Sequence, residues 1–377
     1  MMERQRIHIS SWLLAISFLL LAVSCSSSDS SEGQQPTMLT IYVFSPEYPT
    51  LIRGAEGSVD SKVEESTIHQ LQIWIFESGT GEIIGYLKTE ETAQLNAGDG
   101  ATYQIPVDDD FAHYKPDVDI YVLANVTGDN CGCSFYDGKN YEGIYRDFIK
   151  DNAILTSYYF GLDKDRLCDA VPPQGLPMVG VLKNQSVIGD APVLRIGTPN
   201  QIATVSLERA VSKVRFVFAN TEGEPDLKID SIKLDSVMIP DVEYLIPQSR
   251  TLTYNSNVAD LWTTETTAVA VKNPTKYIYD GQKAQEYEDS IDKAGLTVIG
   301  PFYLHESDKR LKGTITYHIG NNAAVRATFQ MAEAGDFMRN HTWIVYAYHA
   351  GGGFLQMNAL YVKDWINKIE NHEVYNW

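Results

Sequence analysis

The stretch that decides the fold runs from Met38-Leu-Thr-Ile-Tyr-Val-Phe44, through a loop, to Ile68-His-Gln-Leu-Gln-Ile-Trp-Ile-Phe76. In the first run Leu39, Ile41 and Val43 occupy every second position, which is the period of a strand buried on at least one face. The second run repeats this alternation. The intervening segment is rich in glycine, serine and acidic residues. We therefore predict two strands joined by an exposed loop.

Working outward, short runs of alternating or continuous apolar residues recur along the rest of the chain. With 377 residues and 22 tyrosines, the chain is long enough for two domains and rich in strand-forming residues. Many short strands at near-regular spacing predict an all-β protein of two β-sandwich domains with minor helices. One short helix or two is expected within 141–160, and the run Leu227–Pro240 is expected to form a pair of strands. The strand-like run 204–218 breaks its alternation at 209–212, and we place the domain boundary near residue 200, giving domains 38–200 and 201–377.

The N-terminus has the pattern of an export signal. Arg4 and Arg6 precede an apolar segment of about a dozen residues, which is too short to span a bilayer comfortably. The segment ends in small residues before Cys25 and resembles a bacterial lipobox, so we predict a lipoprotein signal at 1–24 and lipidation of Cys25. The alternative is a plain signal peptide cleaved near Ser24. Residues 25–37 read as a flexible tether.

The net charge argues against nucleic acid as a partner. It is -19 for the whole chain, and it is about one unit more negative without residues 1–24, which hold two arginines and one glutamate. Phosphate recognition needs clustered Lys and Arg. The acidity favours solubility and predicts nothing more specific.

Three cysteines remain beyond Cys25. Cys131, Cys133 and Cys168 could supply one disulfide in an exported protein, Cys168 pairing with either of the other two. The Cys131-x-Cys133 spacing is too short for the usual zinc knuckle, and no histidine pair lies near it. A disulfide is therefore favoured over a metal site, and no metal or cofactor is predicted.

Signals for catalysis are missing from the sequence. It contains no nucleophile-elbow, zinc-protease, P-loop or dinucleotide-binding motif. The eight histidines are scattered, with no pair at ligand spacing on one element. Asp108-Asp-Asp110 lacks the spacing of a calcium loop and reads as an exposed acidic turn. The aromatic residues could form a glycan platform, although core and cross-strand roles are the more common use. We predict that the protein is not an enzyme.

Several motifs, taken in their order along the mature chain, resemble the fimbrillin superfamily, the type V pilus subunits of Bacteroidetes. They are the lipobox at Cys25, Glu65-x-x-Ile-x-x-Leu-Gln-Ile-Trp-Ile-Phe76, Asp119-Ile-Tyr-Val-Leu-Ala-Asn125, Pro177-Met-Val-Gly180, Leu207-Glu-Arg-Ala-Val-Ser-Lys-Val214, Arg339-Asn-His-Thr-Trp343 and Val362-Lys-Asp-Trp365.

The resemblance implies two transthyretin-like β-sandwich domains and a particular route of assembly. Such a subunit is exported as an outer-membrane lipoprotein, and an arginine-specific surface protease removes its first strand, here about 38–47. A C-terminal strand from the next subunit then fills the vacated groove. The cut would fall at Arg53-Gly54, because Arg53 is the only Lys or Arg between Cys25 and Lys62. The donor would lie within 354–377, and its candidate residues are Leu355, Met357, Leu360, Val362, Trp365 and Val374.

The function that follows is that of a stalk or tip pilin at the cell surface. Its expected partners are other fimbrial subunits, joined head to tail, the processing protease, and a host or bacterial surface ligand. The alternative is a surface glycan-binding lipoprotein of an outer-membrane nutrient-uptake system, which would share the lipobox and the sandwiches. A surface hydrolase is a weaker third class, for which no acid–base pair can be named.

Overall fold

A computed structural model provides the structure of the protein and describes the following residues: 36–44, 64–89, 95, 99–107, 109–128, 131, 145–155, 167–189, 192–197, 202–220, 223–248, 252–254, 258–262, 269–271, 297–330, 338–349, 351 and 355–362. Two short α-helices lie in these ranges, α1 (Asp109–Tyr114) and α2 (Arg146–Asn152). Neither helix has the length and apolar content needed to cross a membrane.

The first sandwich is formed by two five-stranded sheets. The sheet around β1 contains β1 (Thr37–Phe44), β4 (Gly100–Val107), β8 (Val187–Ile188), β9 (Val193–Ile196) and β10 (Thr204–Ser206). The sheet around β5 contains, in spatial order, β11 (Glu208–Arg209), β7 (Met178–Gln185), β5 (Val118–Ala124), β2 (Leu71–Glu77) and β3 (Ile83–Lys88). Every residue of β5 is buried. Its even-numbered side chains join the core shared with the β1 sheet, and Tyr121 and Leu123 join a second core on the opposite face.

The second sandwich is formed by a four-stranded and a five-stranded sheet. The first has the order β17 (Thr297–Leu304), β12 (Ser212–Asn220), β20 (Thr342–His349) and β21 (Leu355–Val362). The second has the order β15 (Val258–Trp262), β13 (Leu227–Met238), β18 (Lys312–Ile319) and β19 (Val325–Gln330), with β16 (Val269–Ala270) also pairing with β13. A small ladder pairs β6 (Ile154–Leu155) with β14 (Glu243–Tyr244). The all-β class and the two tandem sandwiches are thus confirmed.

The broken alternation at 209–212 marks the passage from one sandwich to the other. β10 and β11 still pair with β1 and β7 of the first sandwich, whereas β12 pairs with β17 and β20 of the second. The chain therefore changes sandwich at Ala210-Val211, and the predicted domain boundary lies near residue 200. Both residues are fully buried. The alternation breaks because the strands on either side belong to different cores.

One strand prediction was wrong. The run from Leu227 to Pro240 was expected to form two strands, but residues 227–238 form the single strand β13. Its pairing register shifts between Ile229 and Ser231 and again between Leu234 and Val237. Such bulges disturb the two-residue period without reversing the chain, so in the sequence they resemble a turn.

Candidate assembly groove and sandwich junction

The first strand of the described chain lies inside its sheet. On one side β1 pairs antiparallel with β4 over all eight of its residues. On the other side it runs parallel to β9 through Met38–Thr40 and to β10 through Tyr42–Phe44. Without β1 the sheet would contain a slot with unpaired backbone donors and acceptors along both walls.

The side chains of β1 supply part of the first core. Leu39, Ile41 and Val43 are fully buried among residues of both sheets. Each such side chain contributes roughly 1.5–3 kcal/mol through burial. On the other face Tyr42 lies against Gly100, where an added Cβ would come 1.8 Å from the phenolic oxygen. A strand that replaced β1 would thus have to provide apolar side chains at alternate positions.

A buried ionic network joins a helical turn at 64–66 to the second sandwich. Lys213 Nζ lies 3.0 Å from Glu65 Oε2, and both side chains are 1% exposed. Tyr303 donates its hydroxyl to Glu65 Oε1 over 2.7 Å. Arg209 Nε donates to the Glu65 carbonyl over 3.0 Å, and its Nη2 donates to the Ser66 hydroxyl. The turn that follows segment 45–63 is therefore fixed to β11, β12 and β17.

Arg339 forms the centre of a second network at the same junction. Its Nε donates to Glu306 Oε2 over 3.1 Å, and its Nη2 donates to Oε1 of the same carboxylate. The remaining contacts go to the carbonyl oxygens of Leu245 (2.9 Å) and Tyr244 (2.7 Å). Burial by itself would lower the pKa of Arg339, but the neighbouring carboxylates, Glu306 foremost, raise it on balance.

Two further polar residues end or brace strands of the first sandwich. Asn125 follows β5 with a positive φ of 57°. Its Nδ2 donates to the carbonyls of Thr67 and Leu176, both over 2.9 Å, and its Oδ1 accepts from His69 N over 2.8 Å. Asp119 accepts hydrogen bonds from the Ser78 hydroxyl and from Arg146, both over 2.7 Å, and from Asn184 N over 2.9 Å.

These contacts explain the motifs noted in the sequence. Glu65, Asn125, Arg209, Lys213 and Arg339 all belong to them, and each is a buried or half-buried polar group that joins separate segments. Their common role is to connect segments within and between the sandwiches. Sequence reasoning identified these residues as motif members but not as partners of one another.

Several predicted site residues lie outside the described part of the chain. They are Cys25, Arg53, Gly54, Cys133, Trp365 and Val374. Of the other donor candidates, Leu355, Met357, Leu360 and Val362 lie on β21, which pairs antiparallel with β20 along its full length. Leu355 is buried in the core of the second sandwich. β21 has no partner on its outer side among the described strands, so it is an edge strand.

Cys131 and Cys168 are thiols in the structure and are not bridged to each other. The backbone of Cys131 pairs with Leu155, whereas that of Cys168 pairs with Tyr303. Burial raises the pKa of the Cys168 thiol. The alternative pairing of Cys168 through Cys133 stays a prediction. In the described ranges no group of three or more His, Cys, Asp or Glu is placed to hold a metal ion.

The fold is that of a tandem β-sandwich whose N-terminal strand is held in an internal slot. The chain is similar in fold to the tip fimbrial protein Mfa3 from Porphyromonas gingivalis, solved with a C-terminal truncation, with a TM-score of 0.50 and 12% identity. The alignment covers 88% of this chain and 100% of that one. The resemblance to fimbrillins is therefore confirmed at the level of the fold.

Two other solved structures are similar over comparable lengths. A candidate cell adhesion protein from Parabacteroides distasonis aligns with a TM-score of 0.48 and 13% identity, covering 87% of this chain and 97% of that one. Another from Bacteroides eggerthii aligns with a TM-score of 0.46 and 12% identity, covering 88% and 96%. No protein-family model matches the chain, and no curated protein sequence matches it.

Proposed function

We propose that the protein is a structural subunit of a cell-surface fimbria, a stalk or tip pilin that assembles by exchange of its first strand. The observation that carries the proposal is the position of β1: it is N-terminal, it lies between other strands, and it fills the first core with Leu39, Ile41 and Val43. An N-terminal strand in that position can be removed by a single cut and leaves a slot shaped for another strand. The subunit reaches the surface as an outer-membrane lipoprotein anchored through Cys25.

The donor in this proposal is β21 of the next subunit. Among the described strands of its own sheet β21 pairs with one neighbour, β20, whereas in the slot it would have β4 on one side and β9 with β10 on the other. Leu355, Met357, Ala359 and Tyr361 alternate along β21, as Leu39, Ile41 and Val43 do along β1. The final dozen residues contain no such run of alternating aliphatic side chains. When β21 enters the slot it loses its pairing with β20. The second neighbouring strand and the refilled core that it gains there offset this loss.

The joint between subunits is head to tail. Such contacts use two different surfaces of each subunit and therefore extend into a filament and do not close into a dimer. The anchored turn at 64–66 complements this design, because it lies beyond the proposed cut and keeps the trimmed first sandwich attached to the second.

Processing is the first test. Replacing Arg53 with Lys or Ala is expected to block cleavage by an arginine-specific protease, because the side chain that the enzyme recognises is gone. The mature form beginning at Gly54 and the SDS-resistant ladder of unboiled surface extracts should both disappear. Arg326→Lys, on an exposed position of β19, is the matched control and should leave both unchanged. An Arg53→Ala protein that is still cut at the same place and still polymerises would refute this route.

The donor strand is the second test. Met357→Asp is expected to abolish the ladder, because a carboxylate would have to enter an apolar slot at a cost of several kcal/mol. Deleting residues 366–377 should leave polymers intact, since β21 remains. Circular dichroism and the melting temperature of the monomer would establish that each variant folds. Loss of polymers on deletion of 366–377 alone would assign the donor to the final residues instead.

A further inference from the structure

Strand β21 repeats the sequence pattern of β1, the strand that fills the slot. The segments Met38-Leu-Thr-Ile-Tyr-Val43 and Met357-Asn-Ala-Leu-Tyr-Val362 share methionine, tyrosine and valine at the same spacing, and isoleucine in one matches leucine in the other. A methionine followed three, four and five positions later by Ile or Leu, Tyr and Val occurs nowhere else in the chain. On the basis of the proposed strand exchange, we further propose that the strand entering the slot is β21 of a second copy of this chain, running in the direction of β1 with Tyr361 in the place of Tyr42.

The core face of the slot accepts β21 in this register. Ile41 and Val43 are fully buried in the core of the first sandwich, and Leu360 and Val362 would take their places. Exchanging aliphatic side chains of equal or similar volume is the change that a packed core tolerates best. A donor shifted by one residue would turn both side chains to the outer face.

The outer face of the slot contains a notch that fits a tyrosine ring. A Cβ added to Gly100 would lie 1.8 Å from the phenolic oxygen of Tyr42 and 2.2 Å from its Cζ, so the ring fits only because residue 100 has no side chain. β21 has one tyrosine, and it enters the notch when Tyr361 lies opposite Thr102, as Tyr42 does. A donor shifted by two residues would place Ala359 or a lysine there and leave the notch empty.

The first position of the match is apolar on both sides of the slot. Met38 is half-buried, and its partners in the two flanking ladders are Pro106 and Val193. Met357 would lie between the same two residues. The loss of polymers expected for Met357→Asp agrees with this placement.

Position 39 is the one core position at which the two strands do not match. Leu39 is fully buried, and Asn358 would replace it, although an amide buried among aliphatic side chains costs free energy. β1 therefore fits the slot better than β21 does, and it is also covalently tethered beside it. Both effects favour β1 over β21 of another copy until cleavage removes β1, which keeps uncut subunits apart.

A disulfide cross-link in the full chain tests the register and the partner together. Thr40 and Gln104 are paired residues of β1 and β4, and paired residues of antiparallel strands lie within the Cα distance that a disulfide spans. In assembled polymers Ala359 of the next copy would replace Thr40. Surface extracts of the double variant Gln104→Cys, Ala359→Cys should therefore retain the ladder after boiling in SDS, and a reducing agent should dissolve it. The unaltered chain and the pair Gln104→Cys, Asn358→Cys, which reports a shift of one residue, should lose the ladder on boiling.

Two further variants test the match and the mismatch. Asn358→Leu should raise the temperature at which the ladder dissociates in SDS, because it removes the buried amide. Tyr361→Ala should lower that temperature, because it empties the notch over Gly100. Residue 358 pairs with Tyr346 in its own sheet, so the melting temperature of each monomer would show whether an effect arises in the slot or in the donor's own sandwich.

The outcomes separate this register from strand exchange itself. A cross-link through Asn358→Cys in place of Ala359→Cys would overturn the register and leave strand exchange standing, and so would dissociation temperatures that neither variant shifts as stated. A ladder without a cross-link from either cysteine pair would mean that β21 of this chain does not fill the slot in the direction and register of β1. Failure of the unaltered chain to form a ladder would refute the proposed function, and this inference with it.

Discussion

Replacing Lys213 with Met is expected to lower the free energy of unfolding by about 3–5 kcal/mol, the usual cost of breaking a buried ion pair by removing one partner. The pair is fully buried, and its Nζ–Oε2 distance is 3.0 Å. Methionine has most of the volume of lysine, so the loss of stability measures the removal of the charge and not the creation of a cavity. The Glu65 carboxylate would keep its hydrogen bond from the Tyr303 hydroxyl but lose its ion pair with Lys213. Chemical denaturation of both proteins under identical conditions measures the difference.

Two comparisons make this prediction specific. The double variant Lys213→Met, Glu65→Leu removes both charges of the pair and should recover most of the lost stability, because neither of them is then left buried without the other. Lys233→Met is the control. Lys233 also pairs with carboxylates, those of Asp235 and Asp260, but it lies at the surface, where solvent screens the charges. A Lys213 variant no less stable than the Lys233 variant would show that the junction network does not stabilise the fold.

The strands of this protein were largely predictable because their cause is local. Residues 37–44, 83–88, 100–107 and 118–124 alternate or run continuously apolar over a length that only a strand accommodates. The core residues follow directly from this period, as Leu39, Ile41 and Val43 illustrate. β13 was misread because its two bulges change the phase without a turn. The position at which the chain leaves the first sandwich cannot be read from the period, because the pairings of β10 with β1 and of β11 with β7 are long-range.

The junction could not be predicted from periodicity. Glu65 and Lys213 are separated by 148 positions in the sequence, and nothing in either neighbourhood indicates that they meet in the interior. In a sequence, a lysine that is buried in the folded protein cannot be distinguished from one at the surface until its partner is known. A pocket lies beside Arg339 and is equally hard to predict from the sequence, because five separate segments of the chain line it. The sequence signal for the junction was the order of the motifs. The motifs include Glu65, Arg209, Lys213 and Arg339, but they do not indicate which of these residues are in contact.

Excising β1 is expected to have the largest effect on the molecule. It would remove three fully buried aliphatic side chains and two ladders of backbone hydrogen bonds from the first sandwich. Burial of these side chains alone amounts to several kcal/mol, a large part of the roughly 5–15 kcal/mol that stabilises a typical domain. A specific protease site placed at 53–54 allows the folded chain to be cut and the fragment 25–53 to be separated in denaturant. The cut chain that retains its fragment is the control, and its melting temperature should stay close to that of the intact protein.

Rescue of the excised chain then tests strand exchange directly. A synthetic peptide of residues 355–365 is expected to restore the lost melting transition, because it can pair with β4 on one side and with β9 and β10 on the other while its apolar side chains refill the core. A peptide of residues 37–44 should also restore it, which would establish that the slot is intact. The 355–365 peptide carrying Met357→Asp should not. If the 37–44 peptide rescues and the 355–365 peptide does not, the slot exists but β21 is not its donor. Since β21 of one subunit and the slot of the next are different surfaces, a peptide that rescues the monomer should also cap growing filaments and shorten the SDS-resistant ladder in proportion to its concentration.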